Sequence, residues 1–180
     1  TPAFAQDESA ASLDEIVVTA QRRSESLQDV PIAITAFTQE DLERTAAVGI
    51  QDVASRAPGV TLTQFNIGEP QLYIRGVGTT SDSAASDPSI GISIDEVSIG
   101  RAGASSLAFL DVNRVEILRG PQGTLYGRNA SGGALNVYTN APVFDNEGRI
   151  TVRAGSFDGY GADGMYNAQL GENSAVRFAA

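Results

Sequence analysis

Val112 to Thr139 reads VNRVEILRGPQGTLYGRNASGGALNVYT, and the way this stretch folds decides the architecture of the chain. Val115 to Arg119 is rich in β-branched and apolar residues and reads as a strand ended by Gly120-Pro121. Thr124 to Tyr126 fits a single helical turn, and Ala134 to Thr139 is a second strand. Between them Gly120, Gly123, Gly127, Gly132 and Gly133 relax the backbone, so the loop can turn sharply or let another segment approach closely. Such a loop needs a rigid frame on both sides. A glycine-rich turn opening a helix can also cradle phosphate, but the nucleotide-binding form ends in Lys-Ser/Thr and this chain has no lysine. A tight packing element with no site of its own is the other reading.

The wording Val-x-Arg-Val-Glu-Ile-Leu-Arg-Gly-Pro-Gln-Gly-Thr-Leu-Tyr-Gly-Arg, followed by Gly-Gly-Ala-Leu-Asn-Val, closely resembles the plug domain of TonB-dependent outer-membrane receptors. The resemblance implies an α+β fold: a plug domain over residues 29–142, with a small mixed β-sheet and short flanking helices. It further implies the first antiparallel strands of a truncated outer-membrane β-barrel over 143–180. Two arginines match the family pattern position by position, Arg75 in Ile-Arg-Gly and Arg119 in Leu-Arg-Gly-Pro. In the family these face the barrel wall and pair with glutamates, here expected beyond Ala180; solvated arginines beside turns are the plainer alternative.

Downstream, Asn140 to Asn146 marks a boundary. Arg149 to Phe157, Gly161 to Leu170 and Ala175 to Ala180 are short alternating segments separated by Gly, Asp and Asn, as barrel strands are. Ile150, Val152 and Ala154 fall on one face and Arg149, Thr151 and Arg153 on the other, so the first would meet lipid and the second the lumen. A soluble hairpin packed on the preceding domain is the alternative.

Upstream, Ile90 to Ile99 reads strand, turn, strand with Asp95-Glu96 at the corner. The family usually has Asp-Gly there, so either the turn type differs or the corner is strained. Val77 to Pro88 and Ser98 to Ser106 are small, polar stretches. On the resemblance they are ligand-facing loops, with Gly78, Thr79, Thr80, Ser81, Arg101 and Ser105 as candidate contacts. Val60 to Phe65 and Leu72 to Gly76 read as strands, and Gln51 to Ser55 as a short helix closed by Pro58-Gly59. Thr38-Gln39-Glu40-Asp41 has capping-box spacing for a helix expected to stop near Gly49, with Phe37 stapled onto Leu42, and Val30 to Phe37 alternates as a strand.

The amino-terminal end is polar, and residues 6–28 are expected to be disordered. Within it Glu15, Ile16, Val17, Val18, Thr19 and Ala20 form a lone β-prone island without a partner in its own segment, suited to strand addition onto another protein. It resembles the TonB box, by which TonB and its inner-membrane energising complex grip such receptors; a first strand of the fold is the alternative. Ala3-Phe4-Ala5 has the small-x-small pattern that ends a signal peptide, so residues 1–5 read as its remnant or as an ordinary alanine-rich terminus.

Bulk composition limits the other classes. A net charge of -10 speaks against nucleic acid, which requires a basic face. His and Cys are absent, which removes the usual zinc, haem and thiol chemistry and the commonest general base. No enzyme activity, cofactor or metal site is expected. No run reaches the about 20 apolar residues of a spanning helix, so membrane insertion would proceed through strands. The resemblance therefore implies an outer-membrane receptor of a Gram-negative bacterium for active uptake of a scarce ligand, a ferric siderophore. Its partners would be TonB, outer-membrane lipid and its own barrel, with the plug in the lumen and the TonB box in the periplasm. A free periplasmic α+β binding or adaptor module without a barrel is the alternative.

Overall fold

A computed structural model of the chain describes residues 17–20, 23–26, 32–66, 69–79, 87–100, 109–127, 129–156 and 159–180. The expected signal remnant, the polar run that follows it, Glu15 and Ile16 lie outside the described residues. In chain order the elements are β1 (Val17–Ala20), β2 (Arg23–Ser26), β3 (Ile34–Thr38), α1 (Gln39–Arg44) and α2 (Ile50–Arg56). Then come β4 (Val60–Asn66), β5 (Glu69–Ile74), β6 (Val77–Gly78), β7 (Ile90–Ile94) and β8 (Val97–Ile99). The motif stretch supplies β9 (Val112–Arg119), the short helix α3 (Gly123–Tyr126) and β10 (Gly133–Thr139). β11 (Glu147–Ala154), β12 (Tyr160–Gly171) and β13 (Ser174–Ala179) end the chain.

Five strands in the order β3-β9-β10-β7-β8 form the central sheet. Only β10 and β7 run parallel; the other pairs are antiparallel, so the sheet is mixed as expected. Alternation sends Val115 and Ile117, Leu135 and Val137, and Ile90 and Ile92 to one face, where Leu42 of α1, Ile50 and Val53 of α2 and Leu72 and Ile74 of β5 cover them. That layer is the hydrophobic core. The opposite face carries a polar row: Asn136 stands in register with Glu116 on one side and Ser93 on the other. Glu116 is fully buried and takes a 2.8 Å bond from Arg114 Nε, and the Arg114 guanidinium lies 3.9 Å from the Tyr138 ring centre.

The glycines of the motif are required where backbones meet. Gly133 has φ +153°, and a Cβ there would lie 2.4 Å from the Leu118 carbonyl oxygen. At Gly132 a Cβ would lie 2.7 Å from methyl groups of both Ile90 and Val77. The loop between β9 and β10 is thus the close approach anticipated from the sequence.

Three expectations are corrected, and the alternative left open at the Asp95-Glu96 corner falls to strain. Disorder across 6–28 does not hold for β1 and β2, which pair antiparallel with Val18 opposite Glu25. Ladder bonds are made by the main chain, so the polar run Arg23 to Ser26 serves as a partner, and Val18 is buried against Ile32, Ile34 and Ala36. Helix α1 has the expected capping box, the Asp41 amide donating to Thr38 Oγ1 and the Thr38 amide to Asp41 Oδ2, but it stops at Arg44 rather than near Gly49. There the Thr45 hydroxyl donates back to the Asp41 carbonyl at 2.7 Å and Ala46 turns left-handed at φ +48°. β3 begins at Ile34 rather than Val30, with 27–31 outside the described residues. At the β7–β8 corner Asp95 and Glu96 both adopt positive φ, +46° and +67°, the two-residue turn that usually takes glycine. Asp95 holds it by accepting at 2.8 Å from the amide and from the hydroxyl of Thr139.

β11, β12 and β13 form an open antiparallel sheet. Ile150, Val152, Tyr166 and Phe178 are exposed on its outer face, with Ile150 81% and Val152 76% accessible. Arg149 and Arg153 on the inner face reach carboxylates, Glu43 and Asp163.

Candidate functional site

Arg75 and Arg119 converge on the turn that follows α2. The Arg75 amide donates to the Gly59 carbonyl at 2.7 Å, and Arg119 Nη1 donates to the Pro58 carbonyl at 3.3 Å. Arg75 is a non-glycine residue at φ +54°, beside Gly76 in the tight β5–β6 turn. Neither arginine forms an ion pair among the described residues, and Arg119 Nε is buried with no hydrogen-bond partner among them. Arg75 is thus held at this corner through its main chain and Arg119 through its side chain.

Of the tail island, Val17, Val18, Thr19 and Ala20 are β1, while Glu15 and Ile16 lie outside the described residues. β1 already has a ladder partner in β2, which the sequence reading did not supply. Among the loop candidates, Gly78 and Thr79 form the neck of the Val77–Pro88 loop. Thr79 Oγ1 accepts from the Ser89 amide at 2.7 Å, and a Cβ at Gly78 would run into the Tyr73 ring at 2.3 Å. Thr80, Ser81, Arg101 and Ser105 lie outside the described residues.

The strongest polar constellation is one the sequence reading missed. Arg177 on β13 donates from Nε and Nη2 to the Asp111 carboxylate, the Nη2 bond measuring 2.7 Å, and from Nη1 to Glu147 Oε1 at 2.7 Å. The Arg177 and Asp111 side chains are each only 7% accessible. Asn140 Nδ2 donates to Asp111 Oδ1 at 3.0 Å and to Gln39 Oε1 at 3.2 Å. Gln39 Nε2 donates to Glu43 Oε1, which also accepts from Arg149 on β11. Burial works to raise the Asp111 carboxyl pKa, but hydrogen bonds from Arg177 and Asn140, with the charges of Arg177 and Arg149, outweigh it and hold the group below the ordinary carboxylate value. The alternation that put Arg149 and Arg153 on the inner face was the available signal for Arg177; nothing in the local sequence marked Asp111.

The sequence model of the TonB-dependent Receptor Plug Domain matches residues 26–134, the end of β2 to the start of β10. The chain belongs to the TonB-dependent receptor plug domain family. Over 171 residues it is 33% identical to the vitamin B12 transporter BtuB of Photobacterium profundum, an alignment covering 94% of this chain and 27% of that protein. Its fold superposes on the ferric yersiniabactin uptake receptor FyuA of Yersinia pestis with a TM-score of 0.72 and 27% identity, covering 78% of this chain and 22% of FyuA. On the ferripyoverdine receptor of the Pseudomonas aeruginosa outer membrane the TM-score is 0.74 at 23% identity, covering 89% of this chain and 21% of the other, a likeness of fold alone. The chain thus spans about a quarter of the length of these relatives. Within the plug lie both arginines, the loop neck and Asp111, whereas Arg177 lies on the sheet that follows the plug.

Proposed function

We propose that this chain is the amino-terminal part of an outer-membrane receptor of a Gram-negative bacterium that takes up a scarce ligand, a ferric siderophore, with energy delivered through TonB. The observation that carries the reading is the union of a plug with a sheet whose apolar side chains, Ile150, Val152 and Phe178, point away from it and whose arginines point toward it. That two-sided pattern suits a wall between lipid and lumen. The siderophore reading is supported by what FyuA is named for, with the cargo of BtuB as the rival. Glu15 to Ala20 is the TonB-binding segment, and β1, paired with β2 along one edge, is the part of it that would add to the TonB edge. Arg75 and Arg119 meet barrel glutamates, and the loops carrying Thr80, Ser81, Arg101 and Ser105 face the ligand.

The test places Val17→Pro in the full-length receptor. Proline deletes a main-chain donor, so the strand no longer pairs with TonB, while the outer loops are untouched. Binding of radio-iron-labelled siderophores and of radiocobalt-labelled cobalamin is scored separately from their accumulation in cells. Retained siderophore binding with lost accumulation is expected. Normal accumulation would remove the TonB-box assignment, and cobalamin uptake without siderophore uptake would reassign the ligand.

A further inference from the structure

Glu147, Asn167 and Arg177 stand in register across β11, β12 and β13, forming one polar row on the face turned toward the plug. Asn167, fully buried, grips the connecting segment: its Nδ2 donates to the Val143 carbonyl at 2.7 Å and to the Asp145 carbonyl at 2.6 Å, and the Val143 amide donates to its Oδ1 at 3.1 Å. Only a short segment separates Thr139, the end of β10, from Glu147, the start of β11. Such a tether limits how far the plug can stray from the wall but leaves its angle free. Arg177 supplies what the tether lacks, because its planar fork engages the Asp111 carboxylate through two nitrogens and so fixes direction as well as distance.

Asp111 is itself prepared for this. It is held left-handed at φ +48°, and its carbonyl accepts from the Asn140 amide at 3.0 Å and from Asn140 Nδ2 at 3.2 Å. From Asn140 the hydrogen bonds continue through Gln39 and Glu43 to Arg149, returning to the wall on β11. The circuit ties α1, the entrance of β9 and the exit of β10 to two wall strands. A buried ion pair adds little net stability over an apolar packing, yet it specifies one arrangement and penalises the loss of either partner.

We propose that the Asp111–Arg177 pair is the registry latch of the plug, the contact that sets the angle at which the plug is seated against the first barrel strands. This rests on the reading of β11 to β13 as barrel wall. It differs from the Arg75 and Arg119 contacts in polarity, since here the wall provides the cation and the plug the carboxylate.

The test uses the full-length receptor in the outer membrane, with Asp111→Arg, Arg177→Asp and the double exchange. Plug seating is read by susceptibility of the cells to vancomycin, which an intact outer membrane excludes, and by protease access to the plug. Each single reversal should raise susceptibility by about tenfold, and the double exchange should recover most of it. A double exchange no better than the worse single, or singles equal to wild type, would overturn the latch. If the reversals fail to assemble, Asp111→Asn and Arg177→Met make the same cycle: the neutral double should be milder than either single, and simple additivity would overturn the latch. Heat-modifiable electrophoretic mobility of the wild type separates the two levels of failure. Its absence would remove the barrel reading and the latch together, whereas a wild-type barrel with indifferent variants would remove the latch alone.

Discussion

At the residue scale, Arg119 Nη1 ties β9 to the turn after α2 through the Pro58 carbonyl, and its buried Nε, without a partner among the described residues, is the donor that the proposed wall carboxylate would take. Arg119→Ala should therefore cost about 0.5–1.5 kcal/mol from that exposed hydrogen bond alone, seen as faster amide exchange along β9 and the Pro58–Gly59 turn in the purified receptor. Unchanged exchange would mean that the Pro58 contact contributes nothing. Asp111 makes a pH-dependent contribution whose sign follows from its depressed pKa. An unfolded-state carboxyl titrates near about 3.9, so the stabilisation is fully present above that value and is lost as pH falls through the lower folded-state pKa. Plug seating should be flat from neutral pH to about pH 5 and weaken below about pH 4, with Asp111→Asn removing that acid-side loss. Protease access to the plug across a pH series, read with an acid-active protease below neutrality, checks both curves.

At the element scale, the motif stretch was legible because its strands alternate and its glycines sit where Gly132 and Gly133 must admit Ile90, Val77 and Leu118. Gly133→Ala should accordingly cost several kcal/mol through the clash with the Leu118 carbonyl, whereas Gly123→Ala, with open space around it, should be nearly silent. Thermal unfolding of the two variant receptors compares them directly. Thr38→Ala should cost about 1 kcal/mol by the same measure, since it removes the cap that the sequence already displayed as Thr38 and Asp41. The β1–β2 hairpin was not legible. Arg23 to Ser26 has no apolar side chain to announce a strand, and only the cover that Ile32, Ile34 and Ala36 give Val18 reveals why the island folds back. Helix α1 was overextended for a similar reason: Thr45 and Ala46 look helix-compatible, and the back-bond and left-handed turn that end the helix are local geometry.

At the scale of the whole molecule, the two-faced character of β11 to β13 could be read from residue order because alternation is a one-dimensional signal, whereas the family and the mixed sheet rested on the resemblance of the Val112 to Thr139 motif. The seating of plug on wall could be read from neither. Asp111 and Arg177 are 66 positions apart, and Asn140 joins Gln39 across 101, so their meeting depends on the assembled tertiary structure. The central claim, that a plug hangs from a wall with lipid on its far side, is tested most directly by spin labels placed singly at positions 150, 151, 152, 153 and 178 of the full-length receptor in bilayers. Labels replacing Ile150, Val152 and Phe178 should be relaxed by oxygen, which partitions into lipid, and those replacing Thr151 and Arg153 should be shielded from it. Equal relaxation of all five by a water-soluble nickel chelate would place the sheet in solvent and contradict the account.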